Sequence, residues 1–171
     1  MRNIVLVGMP GSGKTTVGKE LLSLLNGYSL IDIDEEIVKS EKKEITEIFK
    51  ENGEDYFRNL ETKEIDKFQK TQNLIISTGG GVVEREENLE ILKKIGFVVY
   101  IFCETKTIFQ RVKEDTTRPL LKTDNIEERL NFLFSRRNSK YKKADYTIDT
   151  TLLTPRECAI KISEAVKNEQ N

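Results

Sequence analysis

Residues 8–16, Gly-Met-Pro-Gly-Ser-Gly-Lys-Thr-Thr, carry the spacing G-x-x-x-x-G-K-[ST] through Gly8, Gly13, Lys14 and Thr15. Glycines let backbone N–H groups approach phosphate oxygens without an intervening Cβ, and a helix starting at Lys14 adds its positive dipole end. In such a loop the Lys14 ammonium reaches the β- and γ-phosphates, and the Thr15 hydroxyl ligates Mg2+. The expected chemistry is therefore a grip on a nucleotide's phosphates. No Asn/Thr-Lys-x-Asp run of guanine-binding switches is present, and 171 residues are few for a motor. A kinase of a small molecule fits that size, and it needs an acceptor site.

Asp32 and Asp34 alternate at the end of the second strand-like run, where open parallel sheets bind ligands. Period 2 sends them to different sides, one toward metal and phosphates and the other toward an acceptor; the alternative is a pair of solvated acids with Asp34 as a helix N-cap. Ser77 to Gly81, Ser-Thr-Gly-Gly-Gly, ends the third run, leaving bare N–H groups and placing Ser77 near metal-bound water, unless it is a plain flexible turn. Arg58 and Glu61 fall on or beside the apolar arc of Phe57, Leu60, Ile65 and Phe68, so Glu61 aims the Arg58 guanidinium unless the two form a surface ion pair. Glu64 lies in the same arc with no obvious partner.

Arg137 sits in the middle of the face formed by Ile126, Leu130, Leu133 and Tyr141, while Arg136 points away. A guanidinium on the core side needs an anion, either a protein acid or a substrate carboxylate or phosphate. Arg118, in the polar stretch 113–124, is placed to swing over the phosphates as part of a lid; otherwise it is an exposed loop arginine.

The chain has no histidine, which removes His triads, His zinc sites and imidazole bases. A net charge of −1 argues against bulk attraction to nucleic acid or an anionic membrane. Cys103 and Cys158 have no metal-type spacing and fit a reducing cytoplasm, and neither a signal peptide nor an apolar run of about 20 residues is found.

Short apolar runs at residues 4–7, 30–33, 74–76, 98–102 and 146–148 read as strands buried on both faces. Residues 14–26 and 90–95 carry helical periodicity between them, and a helix runs from Asn125. Thr154-Pro155-Arg156-Glu157 sets a cap, an N1 proline and a capping-box acid in order. The alternation predicts an α/β fold, a five-stranded, mostly parallel sheet between helical layers, as one domain over residues 1–171. Residues 34–70, with two or three helices, and 113–143 exceed what a crossover needs and are expected to cap the site.

These motifs together resemble the shikimate kinases: the P-loop, Asp32-x-Asp34, Phe57-Arg58-x-x-Glu61, Gly79-Gly80-Gly81, Arg118-Pro119-Leu120-Leu121 and Arg137-x-x-x-Tyr141-x-x-Ala144. The resemblance runs from residue 4 to about 168 and implies a three-layer P-loop kinase fold. It implies MgATP-dependent phosphorylation of the 3-hydroxyl of shikimate, on the route to aromatic amino acids, by a cytoplasmic monomer. By the same resemblance, Gly11, Ser12, Gly13, Lys14, Thr15 and Thr16 hold the phosphates. Lys14 and Arg118 meet the transferring group, Thr15 binds Mg2+, and Asp32 and Ser77 act on it through water. Asp34 holds the acceptor hydroxyl and serves as its proton acceptor if one is needed. Arg58, Arg137, Gly79, Gly80 and Gly81 hold the acceptor, and Arg111, Pro119 and the loop before Pro155 flank the adenine. Residues 138–140 and 151–153 match no motif of the family. The competing readings are a kinase of another small hydroxy acid or of a nucleoside monophosphate, and a non-enzymatic ATP-binding switch.

Overall fold

A computed structural model describes residues 2–113 and 125–169. Arg118, Pro119 and nearly all of the expected lid lie outside the described residues. In chain order the elements are β1 (Asn3–Val7), α1 (Lys14–Leu24), β2 (Ser29–Asp32), α2 (Ile33–Glu41) and α3 (Ile45–Asp66). Then follow β3 (Leu74–Ser77), a 3-10 turn (Val82–Glu84), α4 (Glu86–Ile95), β4 (Gly96–Phe102) and α5 (Thr105–Val112), and finally α6 (Ile126–Tyr141), β5 (Tyr146–Asp149) and α7 (Pro155–Glu169).

The five strands form one sheet in the order β2-β3-β1-β4-β5, and every pairing is parallel. Register is set by pairs such as Val5 with Ile76, Val5 with Val98, and Ile101 with Ile148. β1 is buried along its whole length, and its side chains alternate between two cores. Val5 and Val7 join Ile76, Val98 and Tyr100 under the helices that carry Ile37, Phe57, Leu92 and Leu133. Ile4 and Leu6 join Ile75, Val99 and Ile101 against α1 and α7, through Val17, Leu21, Ala159 and Ile162. This two-faced burial is why β1, β3 and β4 read as continuous apolar runs. The expectation of burial on both faces does not hold for β2 and β5, which are only partly buried because each is an edge strand with a single neighbour. The strand order places the carboxyl ends of β1, β2 and β3 side by side, where such sheets bind ligands.

One local expectation changes. Ile33 begins α2 instead of ending β2, so the period-2 argument for Asp32 and Asp34 does not apply. Asp32 is the N-cap: its carboxylate accepts the Asp34 N–H at 3.1 Å, while Asp34 lies in the first helical turn. The helix wins because this cap satisfies an orphan N–H and three acids, Asp34, Glu35 and Glu36, sit at its positive end. The two carboxylates still diverge, since residues two apart on a helix face different ways. Residues 34–70 contain α2 and α3, and α3 is two helical pieces broken at Gly53 (φ 82°, ψ 175°).

Candidate functional site

The turn after β1 is shaped by glycines in conformations that other residues avoid, Gly11 at φ 81° and Gly13 at φ 99°. Gly13 leads directly into α1, whose first residue is Lys14. The buried Lys14 ammonium donates to the carbonyls of Gly8 and Met9, both at 2.9 Å, so it arches back over the loop. The next residue gathers three elements. The Thr15 hydroxyl donates to Asp32 at 2.9 Å and lies 3.1 Å from the Ser77 hydroxyl, joining the start of α1 to the ends of β2 and β3. Thr15, Asp32 and Ser77, named from three distant motifs, therefore meet as one oxygen cluster.

Each glycine of the triplet after β3 makes room for a different neighbour. A Cβ at Gly79 would stand 2.6 Å from Glu61 Oε1 and 2.7 Å from Asp34 Oδ1. At Gly80 it would stand 2.6 Å from the Pro10 ring of the P-loop, and at Gly81 it would overlap the Arg58 guanidinium. The turn is thus a packed junction rather than a flexible one.

Arg58 is 3% exposed, and its guanidinium donates from Nη1 to Glu61 at 2.5 Å and from Nη2 and Nε to Glu54 at 2.8 and 3.2 Å. The surface-pair alternative is set aside, because Glu61 is wholly buried. Burial pushes the Glu61 carboxyl up to about 7; Arg58 opposes this, and the nearby Asp34 charge adds to it. Glu64, which had no evident partner in the sequence, pairs with Lys67 at 2.6 Å.

Arg137 is 1% exposed, as its place on the helix face demanded. The sequence left its anion open, and the structure supplies a protein acid that sequence reasoning missed. Glu84, at the end of the 3-10 turn, accepts from Arg137 Nε at 2.6 Å. Its other oxygen accepts from Arg136 at 3.1 Å and lies 3.6 Å from the Lys140 ammonium. Burial pushes the Glu84 carboxyl up, but Arg137, Arg136 and Lys140 outweigh this and hold it below the usual range. Arg137 Nη1 and the Tyr141 hydroxyl both donate to the Gly80 carbonyl. The signal for Glu84 in the sequence was a group of three cations late in α6, Arg136, Arg137 and Lys140, with no acid three or four residues away.

Beyond the P-loop lies a cavity of about 260 Å³ lined by Ser12, Gly13, Thr16, Val17, Arg111, Thr150, Leu153, Pro155 and Cys158. Arg111 spans its wall, donating to the carbonyls of Ser12 at 3.4 Å and Thr150 at 3.2 Å. Pro155 is held there by the expected capping box, in which the Thr154 N–H donates to Glu157 at 2.8 Å and the Glu157 N–H donates to the Thr154 hydroxyl at 3.3 Å. Arg111 and Pro155, two of the residues expected at the adenine, thus line one pocket with the second half of the P-loop, while Pro119 lies outside the described residues.

Residues 10–167 match the sequence pattern of the family described as shikimate kinase. The chain belongs to the shikimate kinase family. A shikimate kinase of Thermodesulfovibrio yellowstonii is 44% identical over 171 residues, spanning 100% of this chain and 98% of that protein. One of Persephonella marina is 46% identical over 155 residues, covering 91% and 93%. Among solved structures, the shikimate kinase from Acinetobacter baumannii in complex with shikimate superposes with a TM-score of 0.93 at 38% identity, covering 99% of this chain and 94% of that one. A gluconokinase from Sinorhizobium meliloti shares the fold alone, at 16% identity and a TM-score of 0.64.

As a member of the shikimate kinase family this chain is an enzyme, a P-loop kinase that uses ATP as co-substrate. In this shikimate kinase family member, two buried guanidinium groups and Asp34 surround the triple-glycine turn. Among the described residues no helix is long and apolar enough to cross a membrane.

Proposed function

We propose that this chain transfers the γ-phosphoryl group of ATP to the 3-hydroxyl of shikimate. One observation carries the reading: Arg58, Arg137 and Asp34 converge on Gly79–Gly81, next to a phosphate-binding loop. A hydroxy acid bound there meets two buried cations at its carboxylate and one carboxylate at its hydroxyl. The related Acinetobacter baumannii enzyme, whose structure is a complex with shikimate, supports the choice of acid.

In this mechanism the glycine-rich loop and Lys14 hold the triphosphate, Arg118 meets the transferring phosphoryl group with Lys14, and Arg111, Pro119 and the loop before Pro155 flank the adenine. Arg58 and Arg137 bind the acceptor carboxylate, each charge-assisted hydrogen bond contributing about 1.5–3 kcal/mol. The Gly79, Gly80 and Gly81 backbone lies against the ring. Asp34 holds the 3-hydroxyl and takes its proton as the O–P bond forms and the β,γ-bridging oxygen leaves on ADP. Acceptor binding also excludes water, which would otherwise take the phosphoryl group.

The oxygen cluster of Thr15, Asp32 and Ser77 fits Mg2+, a hard cation held through one or two carboxylates with water and phosphates. Thr15 would ligate it directly, with Asp32 and Ser77 acting through water. When bound it neutralises charge on the phosphates. The enzyme works as one domain, with residues 34–70 as the acceptor segment, and as a monomer in the cytoplasm without nucleic-acid or membrane partners. Two free, buried thiols and the near-zero net charge support that setting.

The test is ADP release from MgATP with shikimate, gluconate or AMP as acceptor. Shikimate alone should raise the rate above background; equal rates with all three, or a response to AMP alone, would overturn the proposal.

A further inference from the structure

Arg137 is the largest side chain among the fully buried ones, and it is charged. A long guanidinium on a helix has several rotamers, and a ligand that needs one of them loses affinity when the side chain must first be ordered. Here the order is built in. Glu84 takes the Nε edge at 2.6 Å and the Gly80 carbonyl takes Nη1 at 3.3 Å, so two edges of the guanidinium are fixed by the protein. The clamp also has a fixed base. The Glu84 N–H donates to the Gly81 carbonyl at 2.9 Å, and the Lys140 ammonium donates to the Glu84 carbonyl at 3.4 Å. The Glu84 carboxylate joins Arg137, 53 residues on, to the bonds that Arg137 and Tyr141 make to Gly80, and so ties α6 to the segment that follows the triplet.

We propose that Glu84 is a positioning residue for the acceptor: it holds Arg137 by Nε so that the Nη2 edge faces the substrate carboxylate. The reach of its side chain, more than its charge, does this. Arg136 and Lys140 steady the carboxylate from the solvent side, where their own side chains are 54% and 29% exposed. Removing its charge leaves Arg136 and Lys140 free to turn to water and Arg137 without its anion until an acceptor carboxylate arrives, whereas shortening it withdraws the oxygen from Nε. The inference rests on the proposed acceptor being shikimate.

Two variants separate reach from charge. Glu84→Asp keeps the charge and loses one methylene; Glu84→Gln keeps the reach and the accepting oxygen. Steady-state ADP release, titrated with shikimate at saturating ATP and the reverse, should show the Asp variant with a shikimate KM raised about tenfold. The Gln variant should stay within about threefold of the unaltered enzyme, and the ATP KM should hold in both. A larger effect from Gln than from Asp means that charge is what matters, and overturns the inference. So does an unchanged shikimate KM in both, or a parallel rise in the ATP KM, which marks a merely structural role. If the unaltered enzyme shows no shikimate-stimulated release, the functional reading falls and takes this inference with it.

Discussion

Gly81→Ala tests the acceptor site with the smallest change available. Gly81 has φ −94° and ψ 1°, which alanine adopts without left-handed strain, so the substitution by itself gains about 0.4–1 kcal/mol from a less flexible unfolded chain. The cost arises only where the new methyl lands, on the Arg58 guanidinium. That group is the end of a flexible side chain and can retreat, but it is 3% exposed and held by Glu61 at 2.5 Å and Glu54 at 2.8 Å. Breaking a buried pair completely costs about 3–5 kcal/mol. Glu54, 54% exposed, can follow the guanidinium outward, so the net loss in stability should be well below that. Function should suffer more. Losing one charge-assisted hydrogen bond to the acceptor, about 1.5–3 kcal/mol, raises its KM roughly 10- to 150-fold at about 1.36 kcal/mol per decade. Urea unfolding and ADP release with shikimate and ATP varied in turn measure both effects. A folded variant with an unaltered shikimate KM would refute the claim that Arg58 meets the acceptor from beside Gly81.

Three further outcomes are expected. Asp34→Asn should lower turnover by about 10²–10⁴, the usual contribution of a positioned base, and leave equilibrium ATP binding unchanged; full turnover would remove Asp34 from the proton's path. Thr15→Val removes the hydroxyl between Asp32 and Ser77, and the Mg2+ concentration giving half-maximal ADP release should rise about tenfold, whereas an unchanged titration would place the metal elsewhere. Glu61 sets a pH dependence: it keeps its proton in the folded state up to about 7 but releases it near 4.5 when unfolded. The folded state then binds more protons between those values, so this stabilising contribution is complete below pH 4.5 and lost as pH rises to about 7. Urea unfolding at pH 5, 6, 7 and 8 should show that decline, and Glu61→Gln should lack it; a decline of equal slope in both proteins would contradict the assignment.

The P-loop, the capped start of α7, the buried strands and the inward faces of α3 and α6 were legible from residue order alone. Each rests on interactions within about four residues or on a period of 2 or 3.6, so the chain specifies them locally. Asp32 and Asp34 mark the edge of that reach. Both patterns, strand and capped helix, were available to the segment, and the Asp32 cap with three acids in the first turn settled it for the helix. What only the tertiary structure decided lies between distant segments. Strand order brought Thr15, Asp32 and Ser77 into one cluster, and packing assigned Gly79, Gly80 and Gly81 to carboxylates, a proline ring and a guanidinium. The partner of Arg137 was the hardest of these. A buried cation announces that it needs an anion, but any acid on an adjoining surface satisfies electrostatics equally well. Only the folded distance selects Glu84.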